Sequence, residues 1–203
     1  MRILQFGSAG TVGLAVSSAL RGLRHDVIAA NFEEGDLRVD ITDSSSIAAV
    51  YRAAGAVDAV VCTVGNVPLK PLGETAKADI EEAVAGKLTS QIDIVLQGME
   101  YVKPGGSFTL ISGIMARVPW RGGIGATVAN GGIESFVIGA AAELGQDRRI
   151  NAVSPTILTE SVAKIGVNLL PGRTPVPASQ VAEAFVRSVS GVETGKVFTV
   201  GQF

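Results

Sequence analysis

Gly7, Gly10 and Gly13 stand three residues apart, directly behind the short apolar run Ile3 to Phe6. They open the stretch Val12 to Leu20, in which apolar residues recur at helical spacing. A strand that turns straight into a helix needs glycine for the tight turn. It needs glycine again wherever a ligand must come close to the backbone. The helix start then offers unpaired N–H groups and the positive end of the helix dipole, which together seat a phosphate. A glycine turn that only packs helix on strand would carry the same letters. The position of the loop, with a strand before it and a helix after it, favours the phosphate.

The rest of the chain repeats the alternation. Asp26 to Ala30 reads as a strand, and Ser44 or Ser45 caps a helix through Ile47, Val50 and Tyr51. Ala59 to Cys62 is a strand, followed by a helix over roughly Asp79 to Tyr101 that Lys103-Pro104-Gly105-Gly106 breaks. Phe108 to Ile111 is again a strand. Ile133, Phe136, Val137, Ala140, Ala141 and Leu144 then mark a helix with one broad apolar face. Arg149 to Val153 and Val197 to Val200 complete the strands. These strands show little polar alternation, as expected of a parallel sheet covered on both sides. The expected architecture is a single α/β domain over residues 1–203, a Rossmann-like doubly wound parallel sheet with helices on both faces. Residues 159–178 hold Pro171, Pro175 and Pro177 and have no clean period, so they read as a loop or lid placed for substrate contact.

Several function classes are disfavoured. The 203 residues carry a net charge of -2 and no Lys/Arg block, which argues against a nucleic-acid partner. Cys62 is the one cysteine and His25 the one histidine, so neither an intrachain disulfide nor a dedicated metal site is expected. No apolar run approaches the ~20 residues of a membrane span, and the first residues read as a strand and not a leader, so no membrane partner and a cytoplasmic location are expected.

Further motifs come in order: Val39-Asp40-Ile41-Thr42-Asp43, Cys62-Thr63-Val64-Gly65, Thr109-Leu110-Ile111-Ser112-Gly113 and Ile150-Asn151-Ala152-Val153-Ser154-Pro155. With the glycine spacing, they make the chain resemble the short-chain dehydrogenase/reductase family over essentially its whole length, and within it a compact subgroup. The resemblance implies a nicotinamide cofactor, NAD or NADP, and a small-molecule carbonyl or alcohol substrate. It places the cofactor against Gly7, Ser8, Gly10, Thr11, Val12 and Gly13, and against Asn31 at the end of the second strand. Asp40 and Ile41 would meet the adenine, while Thr63, Val64 and Gly65 stand where the family carries Asn-Asn-Ala-Gly. Pro155, Thr156 and Ile157 stand where the family carries Pro-Gly and the residue after it. Asp40 also suits a cap on the next turn, and Pro155 a plain strand terminator. Ser112 takes the place of the catalytic serine; a buried serine bonded to backbone is the other reading.

The chain departs from the family at its proton-transfer pair. It has no Tyr-x-x-x-Lys: its tyrosines are Tyr51 and Tyr101, with Gly55 and Gly105 four residues on. Alignment on the family helix puts Ala126 in the tyrosine place and Asn130 in the lysine place, and neither does acid–base work near neutral pH. Lys87 stands in the place of a helix asparagine, either near the nicotinamide ribose or as a solvated surface lysine. Arg117 and Arg121 suit an anionic substrate or a solvated loop. The stretch Ala29 to Glu34 has no arginine, which disfavours a 2′-phosphate, but no acid at Ala30 either. Gly132, Gly139 and Ala142 on the Ile133 helix suit close pairing in a homodimer or homotetramer, or packing within one chain. Two functions remain: an oxidoreductase whose altered proton relay uses Ser112 and Lys87, and a non-catalytic dinucleotide-binding sensor or partner subunit.

Overall fold

The computed structural model describes residues 1–65, 67–118, 120–165 and 172–201. Seven strands form one parallel sheet: β1 (Arg2–Phe6), β2 (Asp26–Asn31), β3 (Leu37–Arg38), β4 (Val57–Cys62), β5 (Val102–Ile111), β6 (Arg149–Pro155) and β7 (Val197–Val200). Their spatial order is β3-β2-β1-β4-β5-β6-β7, so the chain reverses its winding direction beside β1. Ligands in such sheets bind outside the carboxyl ends of the strands at that reversal, where the glycine loop lies. The expected doubly wound architecture is the one observed.

Helices α1 (Thr11–Gly22) and α7 (Ala178–Ser190) pack together on one face, over Ile3, Val61, Val153 and Phe185. Helices α2 (Ser44–Ala54), α4 (Ser90–Gly98) and α5 (Ile124–Leu144) cover the other, over Phe6, Tyr51, Phe108 and Ile133. Each fully buried Phe, Leu or Ile in these layers contributes ~1.5–3 kcal/mol over leaving it exposed. Tyr51 joins α2 to α4 by donating its hydroxyl to the Ile94 carbonyl at 2.6 Å.

Several boundaries differ from the sequence expectation. Asp43, not Ser44 or Ser45, caps α2, accepting from the Ser45 N–H at 2.8 Å. The expected 79–101 helix is α3 (Lys77–Ala83), a π-helical turn over Val84–Thr89, and α4, ending at Gly98. Lys103-Pro104-Gly105-Gly106 does not break a helix. It lies inside β5 as a bulge, where the register against β4 slips between Val57 and Ala59. Gly106 is needed there, since a Cβ would stand 2.6 Å from the Asp58 carbonyl. β6 runs two residues further than expected, to Pro155.

Helix α5 starts nine residues before the expected stripe and is 21 residues long. It is apolar enough by composition to cross a membrane, contrary to the expectation that no stretch would be. Its Ala126, Ala129, Ile133 and Val137 are spent in the core of this domain. Within the expected 159–178 loop, Thr159–Ser161 form a short 3-10 turn and α6 spans Val162–Ile165. An isolated bridge between Leu158 and Val176 ties the ends of the segment together. Residues 166–171, with Pro171, lie outside the described residues.

Candidate functional site

The glycine loop is built by steric exclusion. Gly7 adopts φ +87°, and a Cβ there would lie 2.3 Å from the Val64 side chain. A Cβ on Gly13 would lie 1.9 Å from the Gly7 carbonyl oxygen. Both positions are therefore fixed by packing alone. Gly10 is different: no atom lies within 4 Å of where its Cβ would be. It is exposed and is the N-cap of α1, with no side chain bonded to the helix start and no acid in the first turn. The amides at the start of that helix, carried by Thr11 and Val12 among others, thus face open space where a phosphate can approach.

Neighbouring strand ends hold the loop in place. The Gly7 N–H donates to the Ala30 carbonyl at 2.9 Å. Asn31 is buried: its Oδ1 accepts from the Ser8 hydroxyl and the Ala9 N–H, and its Nδ2 donates to the Glu34 carbonyl. Ser8 and Asn31 thus brace the loop. Thr63 donates its hydroxyl to the Gly7 carbonyl at 2.8 Å. Two adjoining clefts, about 410 and 590 Å³, share Gly7, Gly10, Ile41 and Val64. The first is also lined by Asn31, Glu33, Glu34 and Asp40, the second by Thr63 and Gly65. Asp40 works locally as well: its Oδ1 accepts from the Thr42 N–H and hydroxyl, and this hydrogen bonding lowers the pKa of its carboxyl. β3 adds a residue that no motif singles out. Arg38 pairs in register with Asn31 and donates to the Phe32 carbonyl, so an exposed guanidinium stands at the rim of the first cleft.

Lys87 sits in the π-helical turn and folds inward. Its stem packs on Gly65, where a Cβ would lie 2.5 Å from Lys87 Cγ. Its ammonium donates to the Ser112 carbonyl at 3.2 Å. Desolvation lowers its pKa to about 8. Part of the side chain stays exposed, so it is not a solvated surface lysine, nor is it sealed from water. Single-turn π segments recur at functional sites because they re-aim side chains in this way. Cys62 is buried close by, and the same desolvation pushes its thiol up to about 12. Gln91, fully buried one turn beyond Lys87, donates to the Val64 and Ile111 carbonyls and accepts from the Ile111 N–H. It fixes the ends of β4 and β5 at one spacing.

At the end of β5 the structure assembles a network that the motifs did not reveal. Ser112, 3 % exposed, donates its hydroxyl to Glu134 Oε1 at 2.8 Å. Glu134, 7 % exposed, projects from α5 and forms an ion pair through Oε2 with Arg117. Arg117 also donates to the Ser154 hydroxyl at 3.1 Å, at the end of β6. Arg117 is therefore tied into this network even though its side chain is 40 % exposed, and Arg121 is exposed as well. The substitutes for the family pair lie on α5. Ala126 is buried, and Asn130 is buried beside Gly113 with its Oδ1 unpartnered. Only the stretch Gly131 to Phe136, read as a helix, hinted at Glu134; nothing in the spacing joined it to Ser112 or Arg117.

Pro155 ends β6, and Thr156 and Ile157 follow it. Thr156 donates its N–H to the Val200 carbonyl at 2.9 Å, and its buried hydroxyl has no partner. Ile157 is buried and accepts from the Val176 N–H. Among the small residues of α5, Gly132 is filled within this chain, since a Cβ would meet Leu88 at 2.5 Å. Gly139 meets nothing within 4 Å, and its neighbour Ile138 is 60 % exposed. Among the described residues no cluster of three or more His, Cys, Asp or Glu could hold a metal.

Comparison with known proteins agrees with this architecture. The protein lin1944 from Listeria innocua is 40 % identical and superposes with a TM-score of 0.95, over 98 % of this chain and 99 % of that one. A small-chain dehydrogenase in complex with NADPH, 24 % identical, shares the fold with a TM-score of 0.88 over 99 % of this chain and 96 % of its own. The hydroxynaphthalene reductase arp2 of Aspergillus fumigatus is 26 % identical over 153 residues, which are 75 % of this chain but only 55 % of that protein. The chain thus spans about half the length of that curated relative. A family model described as enoyl-(acyl carrier protein) reductase matches residues 11–170. With most of its length matched by that model, the chain belongs to the short-chain dehydrogenase/reductase family of oxidoreductases.

Proposed function

We propose that the protein is a nicotinamide-dinucleotide-dependent oxidoreductase acting on a small carbonyl or alcohol, with a proton relay that does without the Tyr-x-x-x-Lys pair. The observation that carries this reading is Gly10. Two of the three loop glycines are demanded by packing, whereas the third borders only open space at an uncapped helix start. A pyrophosphate fits there. The adenosine half then lies along the cleft of Asn31, Asp40 and Ile41, and the other half runs past Thr63, Val64 and Gly65. The NADPH carried by the small-chain dehydrogenase is consistent with a dinucleotide at this place.

A bound dinucleotide supplies hydride exchange, and the protein supplies position and electrostatics. Ser112 and Lys87 are the groups for the reacting oxygen and its proton. An amine with a pKa of about 8 exchanges protons readily near neutrality. Pro155, Thr156 and Ile157 flank the nicotinamide end, and the 159–178 stretch, near whose ends Leu158 and Val176 form a bridge, serves as the substrate loop or lid. The open face of Gly139 and Ile138 on α5 supports a homodimer or homotetramer, checked by light scattering. A lone, buried, unreactive thiol suits a reducing, cytoplasmic setting.

Calorimetric titration of NADH and NADPH is the test. Binding of either that is lost in Gly10→Asp supports the reading. No binding of either to the wild type leaves a likeness of fold only. A second reading, a dinucleotide sensor without turnover, draws on the burial of Ser112. It requires that Ser112→Ala change neither binding nor any turnover.

A further inference from the structure

We propose that Glu134 is the proton acceptor of this site, working through Ser112, and that the site is therefore set to take a hydroxyl-bearing substrate in the direction of oxidation. This assignment rests on the oxidoreductase reading. A serine hydroxyl has one proton and two lone pairs, and an ionised carboxylate only accepts. In its ion pair with Arg117, Glu134 is a carboxylate, and Ser112 gives it its one proton at 2.8 Å. The alternative acceptor, the Val153 carbonyl, is 3.5 Å away, which is long for an O–H···O bond. Ser112 is left with lone pairs to offer. It can accept from a substrate O–H, but it has no proton for a substrate carbonyl while Glu134 remains ionised.

Two cationic groups flank this pair. Arg117 holds Glu134 and Ser154, and the Lys87 ammonium is bonded to the Ser112 carbonyl. In the oxidation, the substrate O–H proton passes to Ser112 Oγ as the serine's own proton passes to Glu134 Oε1. The C–H hydride goes to an oxidised nicotinamide dinucleotide, and the C–O single bond becomes a carbonyl. Glu134 ends neutral, and its ion pair with Arg117 is lost. The half-exposed Arg117 side is the edge at which the proton is given up to water. Glu134 is a positioning residue in the sense that it reaches the substrate only through Ser112. Ala126 and Asn130, which stand in the family pair's places, have no part in this relay.

The test uses dead-end complexes first, so that binding is read without turnover. Cyclohexanol and 1-phenylethanol are titrated against the protein loaded with reduced dinucleotide, and cyclohexanone and acetophenone against the protein loaded with the oxidised form, by ligand-observed NMR. The expected result is an alcohol preference of about tenfold or more, as a charge-backed acceptor gives, abolished in Ser112→Ala. A ketone preference, equal binding, or binding of none of the four overturns the proposal. Glu134→Gln keeps an oxygen for the Ser112 hydroxyl but has no basicity. It should slow alcohol oxidation by about 10²-fold, flatten the pH–rate profile, and leave dinucleotide affinity unchanged. Glu134→Asp, which restores a carboxylate, should recover part of the rate and the pH dependence. Circular dichroism establishes that each variant is folded, and should Glu134→Gln not fold, Glu134→Asp and Ser112→Ala carry the test. A Glu134→Gln protein that oxidises alcohols like the wild type refutes the relay. Failure of the wild type to bind any dinucleotide would instead sink the underlying reading.

Discussion

The two ends of the site are made from different materials. At the β1–α1 loop the geometry is set by backbone and by atoms that must be absent: Gly7 under Val64, Gly13 on the Gly7 carbonyl, Gly10 facing open space. At the β5–α5 junction it is set by side chains that must be present and paired: Ser112 with Glu134, Glu134 with Arg117, Arg117 with Ser154. On the proposed reading, the first end takes whatever carries a phosphate of the right reach, because amides and dipoles do not read the rest of the ligand. On the same reading the second end sets the chemistry, because each of its protons is held by a named pair. A chain can keep the first end and rebuild the second, which is what the missing Tyr-x-x-x-Lys pair and the buried Glu134 together describe.

The sharpest way to break the contrast is within the glycine loop. Gly13→Ala places a methyl 1.9 Å from the Gly7 oxygen, in backbone that cannot step aside. Overpacking of this kind costs ~1–3 kcal/mol, more where backbone must move, so a melting transition lowered by many degrees is expected. Gly10→Ala meets nothing and should leave melting within ~1 kcal/mol, the ordinary cost at a helix cap, while weakening dinucleotide binding. Equal melting losses in the two variants would show that Gly10 is also structural and remove the argument for an open phosphate seat.

Next in size is the stitch between the two ends. Gln91→Ala strips three hydrogen bonds from buried groups at the ends of β4 and β5. Orphaned buried backbone groups cost ~1–3 kcal/mol each, less what water entering the gap restores. A loss of a few kcal/mol in urea unfolding is expected, together with weaker dinucleotide binding, since Val64 leans on Gly7. Unfolding at the wild-type midpoint would mean that the two ends are not coupled through this residue.

Lys87 gives a pH signature. Its folded pKa of about 8 lies below the ordinary 10.5, so between those values the unfolded chain binds more protons than the folded one. Stability therefore rises with pH across about 8 to 10.5, and is lower below pH 8, where the folded state must hold the charge. The amplitude is ~1–3 kcal/mol, because contact with water moderates the penalty. Comparing urea unfolding of the wild type with that of Lys87→Met isolates it. The cost of the charged amine is absent from the variant, so the wild type should gain on it as pH rises. A constant difference from pH 7 to 10.5 would place the amine in solvent and away from Ser112.

These contrasts also explain what was readable from the letters. The sheet was legible because apolar strands and helical periods are local, and the glycine loop because it needs residues only six apart. The Lys103–Gly106 stretch misled because proline and glycine usually end elements, and here they make a bulge against Asp58. The Ser112 network was illegible because its partners are 22 and 37 residues apart and come together only through the crossing of α5 over β5 and β6. Lys87 was placed by its likeness to a family position, but its inward turn depends on a π-helical step that no spacing announces.

The smallest effect is at the far rim, where the 2′ position of the adenine ribose would lie. Glu33 and Glu34 line that cleft and, on the proposed reading, would repel a 2′-phosphate, while Arg38, brought beside Asn31 by β3, would attract it. All three are exposed, so each is worth little after screening. Glu33→Gln with Glu34→Gln should shift the ratio of NADPH to NADH affinity by about threefold to tenfold toward NADPH, and Arg38→Ala should shift it a few-fold the other way. Both shifts should fade at ~1 M salt, where the Debye length falls to ~3 Å. A ratio indifferent to all three residues would move the adenosine off this rim altogether. Such an outcome would separate the phosphate seat at Gly10, which depends on backbone alone, from the cleft beside it at the strand ends.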